Sequence, residues 1–211
     1  MNGRFLMRGS VVLAALLPAA CRSVEVPRER YFRLDLPAAS PADPQRAGVL
    51  RVLDLQLGTA LDSDCLLVAD GVHLEPRPLE RWVAPLDRLV TDALVLGLSR
   101  ARVCALVKSG ADPGQENWSL HGRIVEFAEV RGSVAHDSTA RIALELWLED
   151  RDGQVLFHDE FQASEPLREA GPAAAVAALS RGLQGIVGGV VQRMQGDGLF
   201  AAARPPARPA R

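Results

Sequence analysis

The first 21 residues constrain this chain more than any other stretch. Arg4 and Arg8 put positive charge ahead of an uninterrupted apolar run, Val11 to Leu17, and Pro18-Ala19-Ala20 leads into Cys21. A membrane-spanning helix needs roughly 20 consecutive apolar residues, so this run is too short to persist as one. Charged, apolar and small-residue parts in that order are those of an export signal. Residues 1–20 are therefore expected to be a removable signal peptide, and a start at Met7 would leave the pattern intact.

A cysteine closing the small-residue segment resembles the bacterial lipoprotein signal, in which cleavage just before the cysteine exposes it for acylation. The resemblance implies lipidation of Cys21. Pro18 stands where that pattern wants leucine, and Leu17 lies one position further out. Ordinary cleavage after a small-x-small site, which would release a soluble protein, meets the same Pro18 at its outer position. Arg22 follows the cysteine where an inner-membrane retention signal would have aspartate, which implies the outer membrane. One acyl chain holds a protein only reversibly, and stable anchoring takes two or more.

Removing residues 1–20 leaves about 190, enough for one domain with a real core. Taking away Arg4 and Arg8 leaves 22 basic against 26 acidic residues, a formal charge of −4. A general nucleic-acid binder would show a basic excess or stripe, so that class is excluded. Cys65 and Cys104 would enter an oxidising compartment where a disulfide persists. Whether they pair depends on geometry; the other reading is two buried thiols acting as small hydrophobes.

Residues 21–30 are polar and aperiodic and read as a tether. The folded domain is expected over 31–195, and the Pro/Arg/Ala segment 196–211 as a disordered tail. Alternation predicts strands over 31–36 (Phe32, Leu34 and Leu36 against Tyr31, Arg33 and Asp35) and over 50–57. Short strands at 65–69 and 72–75 are expected to turn at Asp70-Gly71. Pro76 and Pro78 then break the chain before a helix over 80–100, whose apolar stripe runs Trp82, Leu86, Leu89, Val90, Ala93, Leu94 and Leu96, with Thr91 on the polar side. A short strand is expected over 103–107.

Three longer strands follow, over 118–130, 139–148 and 154–163. In the first, the apolar phase changes between Ile124 and Phe127, which predicts a bulge. The second alternates cleanly, with Ile142, Leu144, Leu146 and Leu148 against Arg141, Glu145 and Trp147. Asp150 to Gly153 reads as the tight loop of an antiparallel hairpin. A second helix over 172–195 starts with Pro172 and is dominated by alanine and glycine, which permits close packing. Its length would barely span a bilayer, and Arg181, Gln184 and several glycines count against that. The fold expected is α+β: a mostly antiparallel sheet with two helices packed on one face.

Chemistry-bearing motifs are sparse. There is no glycine-rich phosphate loop with its lysine and no nucleophile elbow. His73, His121, His136 and His158 lack metal-ligand spacing, and Asp150-x-Asp152-Gly153 lacks the remaining ligands of a calcium loop. Neither a metal, a cofactor nor an enzymatic activity is expected. Trp147 is the residue out of place, an aromatic ring on the polar face of a clean strand. Either the tether or a loop covers it, or it meets a partner, since tryptophan is enriched at interface hot spots.

Tyr31-Phe32-Arg33-Leu34-Asp35 near the cysteine, Arg81-Trp82-Val83-Ala84-Pro85-Leu86, the strand pair from Ala140 to Phe161 and the Ala-rich last helix together resemble the ABC-type transport auxiliary lipoprotein family (PqiC-like, MCE-associated). That resemblance implies a non-catalytic lipoprotein on the periplasmic face of the outer membrane. It would work with an ABC transporter and an MCE-domain protein that move phospholipid or another hydrophobic solute, and the assembly of some members into rings makes a homo-oligomeric ring one option here. The strand face bearing Arg141, Glu145 and Trp147, or the hairpin at Asp150 to Gly153, would contact the periplasmic partner. The competing reading is a periplasmic lipid carrier with its own apolar cavity.

Overall fold

A computed structural model describes residues 27–36, 47–132 and 137–196. Cys21, with the expected signal peptide and most of the expected tether, His136 and the residues beyond 196 expected to form a tail lie outside the described residues.

The centre of the molecule is β7 (Trp118–Val130), a 13-residue strand. One edge pairs along its whole length with β8 (Thr139–Asp150), antiparallel, and β8 pairs antiparallel with β9 (Val155–Pro166). The other edge takes three short parallel partners in succession: β2 (Val49–Val52) at Trp118–Leu120, β3 (Gln56–Leu57) at Arg123–Ile124, and β4 (Cys65–Asp70) at Glu129–Val130. β6 (Leu106–Ser109) extends β2 in parallel. β5 (His73–Trp82) folds back on β4, and β1 (Arg30–Phe32) runs parallel to the end of β5. The sheet is therefore mixed. Its long pairings are antiparallel, as expected, but those of β1, β2, β3 and β6 are parallel. No tight turn joins those short strands to the strands they pair with, so none dictates their direction.

The expected bulge is present: the β7–β8 register slips between Ile124 and Glu126. Val125 is the extra residue and stands half-exposed, while Phe127 returns to the core. Gly122 lies at the closest strand contact, where a Cβ would come within 2.7 Å of the Glu145 carbonyl oxygen.

Two helices complete the core. α2 (Pro172–Gln195) packs on β7, β8 and β9 with Ala178, Leu179, Leu183, Ile186 and Val190 buried. It is the one described helix long and apolar enough to cross a membrane, and more than half of it is buried against the sheet. Gly182 brings it down onto Ile142 and Ala163. The inward residues of β8, Ile142, Leu144, Leu146 and Leu148, are at most 1% exposed.

The first helix departs from expectation. α1 spans Leu86–Arg100 with Pro85 at its N-cap, so residues 80–82 belong to β5 and Trp82 is a strand residue. A proline disfavours helical geometry in the residue before it, and helices start more readily at proline than run through it. Trp82 is still core, edge-on to Phe127 at 5.8 Å. Thr91, assigned to the polar side, is buried and its hydroxyl oxygen accepts a hydrogen bond from Leu55 N (3.1 Å). Leu96, assigned to the stripe, is 42% exposed.

β5 also runs through Pro76 and Pro78. Between Cys65↔Arg81 and Leu67↔Pro76 the register is broken, and residues 77–80 arch away from β4, so the missing N–H of Pro78 costs no ladder bond, while Pro76 sits opposite Leu67 at the edge of the break. Arg77, on the arch, donates to buried Glu129 (2.6 Å).

Candidate functional site

Strand register turns three distant residues into one row. His121 on β7 lies opposite Trp147 on β8, which lies opposite His158 on β9. The Trp147 and His121 rings are stacked, centroids 5.4 Å apart and planes 9° from parallel; His158 meets the indole edge-on at 5.7 Å. Trp147 is half-buried, covered by neighbours on its own sheet.

The next row is ionic. Arg123 on β7 lies opposite Glu145 on β8. Its guanidinium donates from Nε and Nη2 to Glu145 Oε2 at 3.2 and 2.5 Å, and His158 Nε2 lies 2.9 Å from Oε1 of the same carboxylate. The hydrogen bond from Arg123, followed by that from His158, holds the Glu145 carboxyl below its ordinary range. A carboxylate kept ionised in this way has no proton to give at neutral pH, so Glu145 is poorly suited to acid catalysis. Arg141 lies two same-face positions further along β8, 3.4 Å from Glu126, and His121 Nε2 lies 3.4 Å from Glu149.

Arg141, Glu145 and Trp147 thus share the sheet face opposite the helices. Gln56, Arg123, Glu145, Trp147, Glu149, Val155 and His158 line a depression of about 350 Å³ there. Sequence reasoning missed His121, His158 and Arg123, because their positions relative to Trp147 follow from pairing rather than from spacing.

Cys65 and Cys104 are both buried free thiols, and the bridge weighed from sequence is not formed. Cys104 sits just before Leu106, which pairs with Val49 at the Trp118 end of β7, and Cys65 precedes Val68, which pairs with Glu129. At ~3.3 Å per residue that places them roughly 25 Å apart along β7, far beyond disulfide reach of about 7 Å. The Cys104 thiol donates to Leu106 O (3.1 Å) and burial pushes its pKa up. Among the described residues no group of three or more His, Cys, Asp or Glu side chains could hold a metal ion. The Asp150 carboxylate instead accepts hydrogen bonds from Asp152 N and Gln154 N, both 2.9 Å, capping the β8–β9 turn.

The fold has solved counterparts. A crystal structure of a Xanthomonas campestris protein of family DUF330 superposes with TM-score 0.68 at 19% identity, covering 77% of this chain and 92% of that one. A second crystal structure, of an uncharacterised protein, gives 0.66 at 18% identity over 79% and 99%. A hypothetical protein from Chlamydia trachomatis gives 0.51 at 13% identity over 75% and 99%. At these identities the likeness is one of fold. No curated protein matches the chain in sequence. The family model for the ABC-type transport auxiliary lipoprotein component matches residues 32–190, from the end of β1 almost to the end of α2. The chain belongs to that family, a lipid-anchored envelope accessory of ABC transport.

Proposed function

We propose that the protein is a non-catalytic docking component held by acylated Cys21 on the periplasmic face of the outer membrane. Its partner would be an MCE-domain protein working with an ABC transporter on phospholipid or another hydrophobic solute. The observation that carries this reading is the face of β7, β8 and β9 opposite the helices. Its His121–Trp147–His158 row and the Arg123–Glu145 pair present an aromatic centre ringed by charge, the composition of an interface hot spot. Arg123 and Arg141, paired with Glu145 and Glu126, remain about half exposed there, 52% and 47%, and their outer N–H groups can meet acidic groups of a partner.

The carrier reading is weaker. The space between helices and sheet is filled by Leu94, Leu98, Leu120, Ile124, Leu144 and Leu183, none measurably exposed. A chain carrying lipid between its layers would need that volume.

Two experiments test the proposal. Cys21→Ala should move the protein from the outer-membrane fraction to the soluble periplasm; unchanged sedimentation removes the anchor. Trp147→Ala together with Arg141→Glu should abolish co-purification of the transporter complex in detergent while circular dichroism stays unchanged. Full recovery of the complex with that variant removes the docking face.

A further inference from the structure

The tip of the β4–β5 hairpin carries an apolar side chain for which the described residues supply no packing. Asp70 pairs with His73, so the loop is Gly71-Val72, one residue later than the sequence suggests. Gly71 takes the φ of +58° that a tight hairpin demands. Position 72 has no such constraint, and turn positions favour polar residues. It is a valine, 96% exposed, and Leu74, two residues on along β5, is 38% exposed. Single exposed apolar residues are ordinary on protein surfaces, so location has to carry the argument.

The location follows from strand direction. β1 runs parallel to β5, with Arg30 opposite Glu80 and Phe32 opposite Trp82. Going back from Arg30, the chain therefore heads along β5 toward the Gly71-Val72 turn. Arg81 pairs with Cys65 and the turn follows Asp70, so the tip lies about 17 Å beyond the start of β1 at roughly 3.4 Å per residue. The nine residues from Cys21 to Arg30 span about 30 Å at most. A lipid on Cys21 thus brings the bilayer to the same end of the sheet, within reach of the hairpin tip. The acid beside the turn is matched: Asp70 lies 3.6 Å from Arg131, which reduces its repulsion from anionic headgroups.

We propose that Val72 and Leu74 form a second membrane contact, dipping into the headgroup layer of the bilayer in which Cys21 is anchored. The acyl chains fix distance from the membrane; the hairpin fixes orientation and points the β8–β9 turn away from the lipid. This inference rests on the acylation of Cys21 proposed above.

The test uses the lipidated full-length protein in vesicles of phosphatidylethanolamine and phosphatidylglycerol. Three variants, Val72→Cys, Leu74→Cys and Val155→Cys, are labelled with an environment-sensitive dye, Cys65 and Cys104 being buried. Val155 is 51% exposed beside the 150–154 turn, at the opposite end of the sheet. The expected result is blue-shifted emission at 72 and 74, quenched several-fold by nitroxide lipid, with no change at 155. Dyes at 72 and 74 as water-exposed as that at 155, on protein that floats with the vesicles, overturn the membrane contact and leave the anchor standing. Protein that carries no fatty acid by mass spectrometry and does not float overturns both.

Discussion

The indole of Trp147 and the imidazole of His121 lie flat against each other, centroids 5.4 Å apart and planes 9° from parallel, although 26 residues separate them in the chain. The stack occurs because β7 and β8 place residues 121 and 147 directly opposite. It leaves the aromatic surface supported from one side by β7 and from the other by His158. A preorganised ring of this kind loses little conformational freedom on meeting a partner, which suits a docking surface.

The charged row beside the stack predicts an acid response. Glu145 has a lowered pKa, so the unfolded chain takes up the proton first as pH falls, and the stabilisation is lost as pH drops from 4.5 through the lower folded value. Glu145→Gln should flatten the dependence of urea midpoint on pH below 4.5 relative to the parent protein. Parallel curves for the two proteins would show that the Arg123 and His158 contacts contribute nothing in solution.

Gly122 predicts a steric penalty in the same sheet. A Cβ there would press on the Glu145 carbonyl oxygen at 2.7 Å and on Leu55 Cδ2 at 2.9 Å. Gly122→Ala should therefore destabilise the protein by about 1–3 kcal/mol, read as a lowered midpoint in urea. A neutral or stabilising effect would mean the strands part more easily than the contacts imply.

The segment after β1 is fastened to the last helix by one hydroxyl. Ser180 Oγ accepts from Asp35 N at 3.0 Å and donates to Val176 O at 2.8 Å. Ser180→Ala should cost roughly 1 kcal/mol. It should also speed amide hydrogen exchange at Asp35 more than at residues in β7 or β8. Equal exchange in parent and variant would sever the proposed link.

The two thiols predict slow chemistry in the folded state. Cys104 is buried with a raised pKa, and Cys65 is buried in β4. Maleimide at pH 7 should label neither within minutes in native protein and both in urea, because burial shields both sulfurs and the raised pKa of Cys104 makes its thiolate scarce. A native mass shift for either would contradict that burial.

Much of the molecule is legible in short windows of sequence. The bounds of β7 and α2 match expectation, and β8 and β9 differ only at their ends. Period-two alternation, the Asp150–Gly153 loop and Pro172 are local signals, and residues close in sequence settle them. The start of α1 differs from expectation because its apolar stripe extends back to Trp82 without a break in spacing, while Pro85 sets the helix boundary.

Other features were settled between distant parts of the chain. Parallel pairing of β2, β3 and β4 along one edge of β7 has no turn to announce it, and the persistence of β5 through Pro78 depends on a register break that leaves residues 77–80 without a partner on β4. Residue types alone give the expectation of an export signal ending in Cys21, and they carry the α+β alternation of elements and a tryptophan on the polar face of its strand. Tertiary structure decided that His121 and His158 flank that ring, that Arg123 grips Glu145, and that two cysteines stay apart. Register and chain direction are set by burying the whole sheet against two helices, a balance no short window contains.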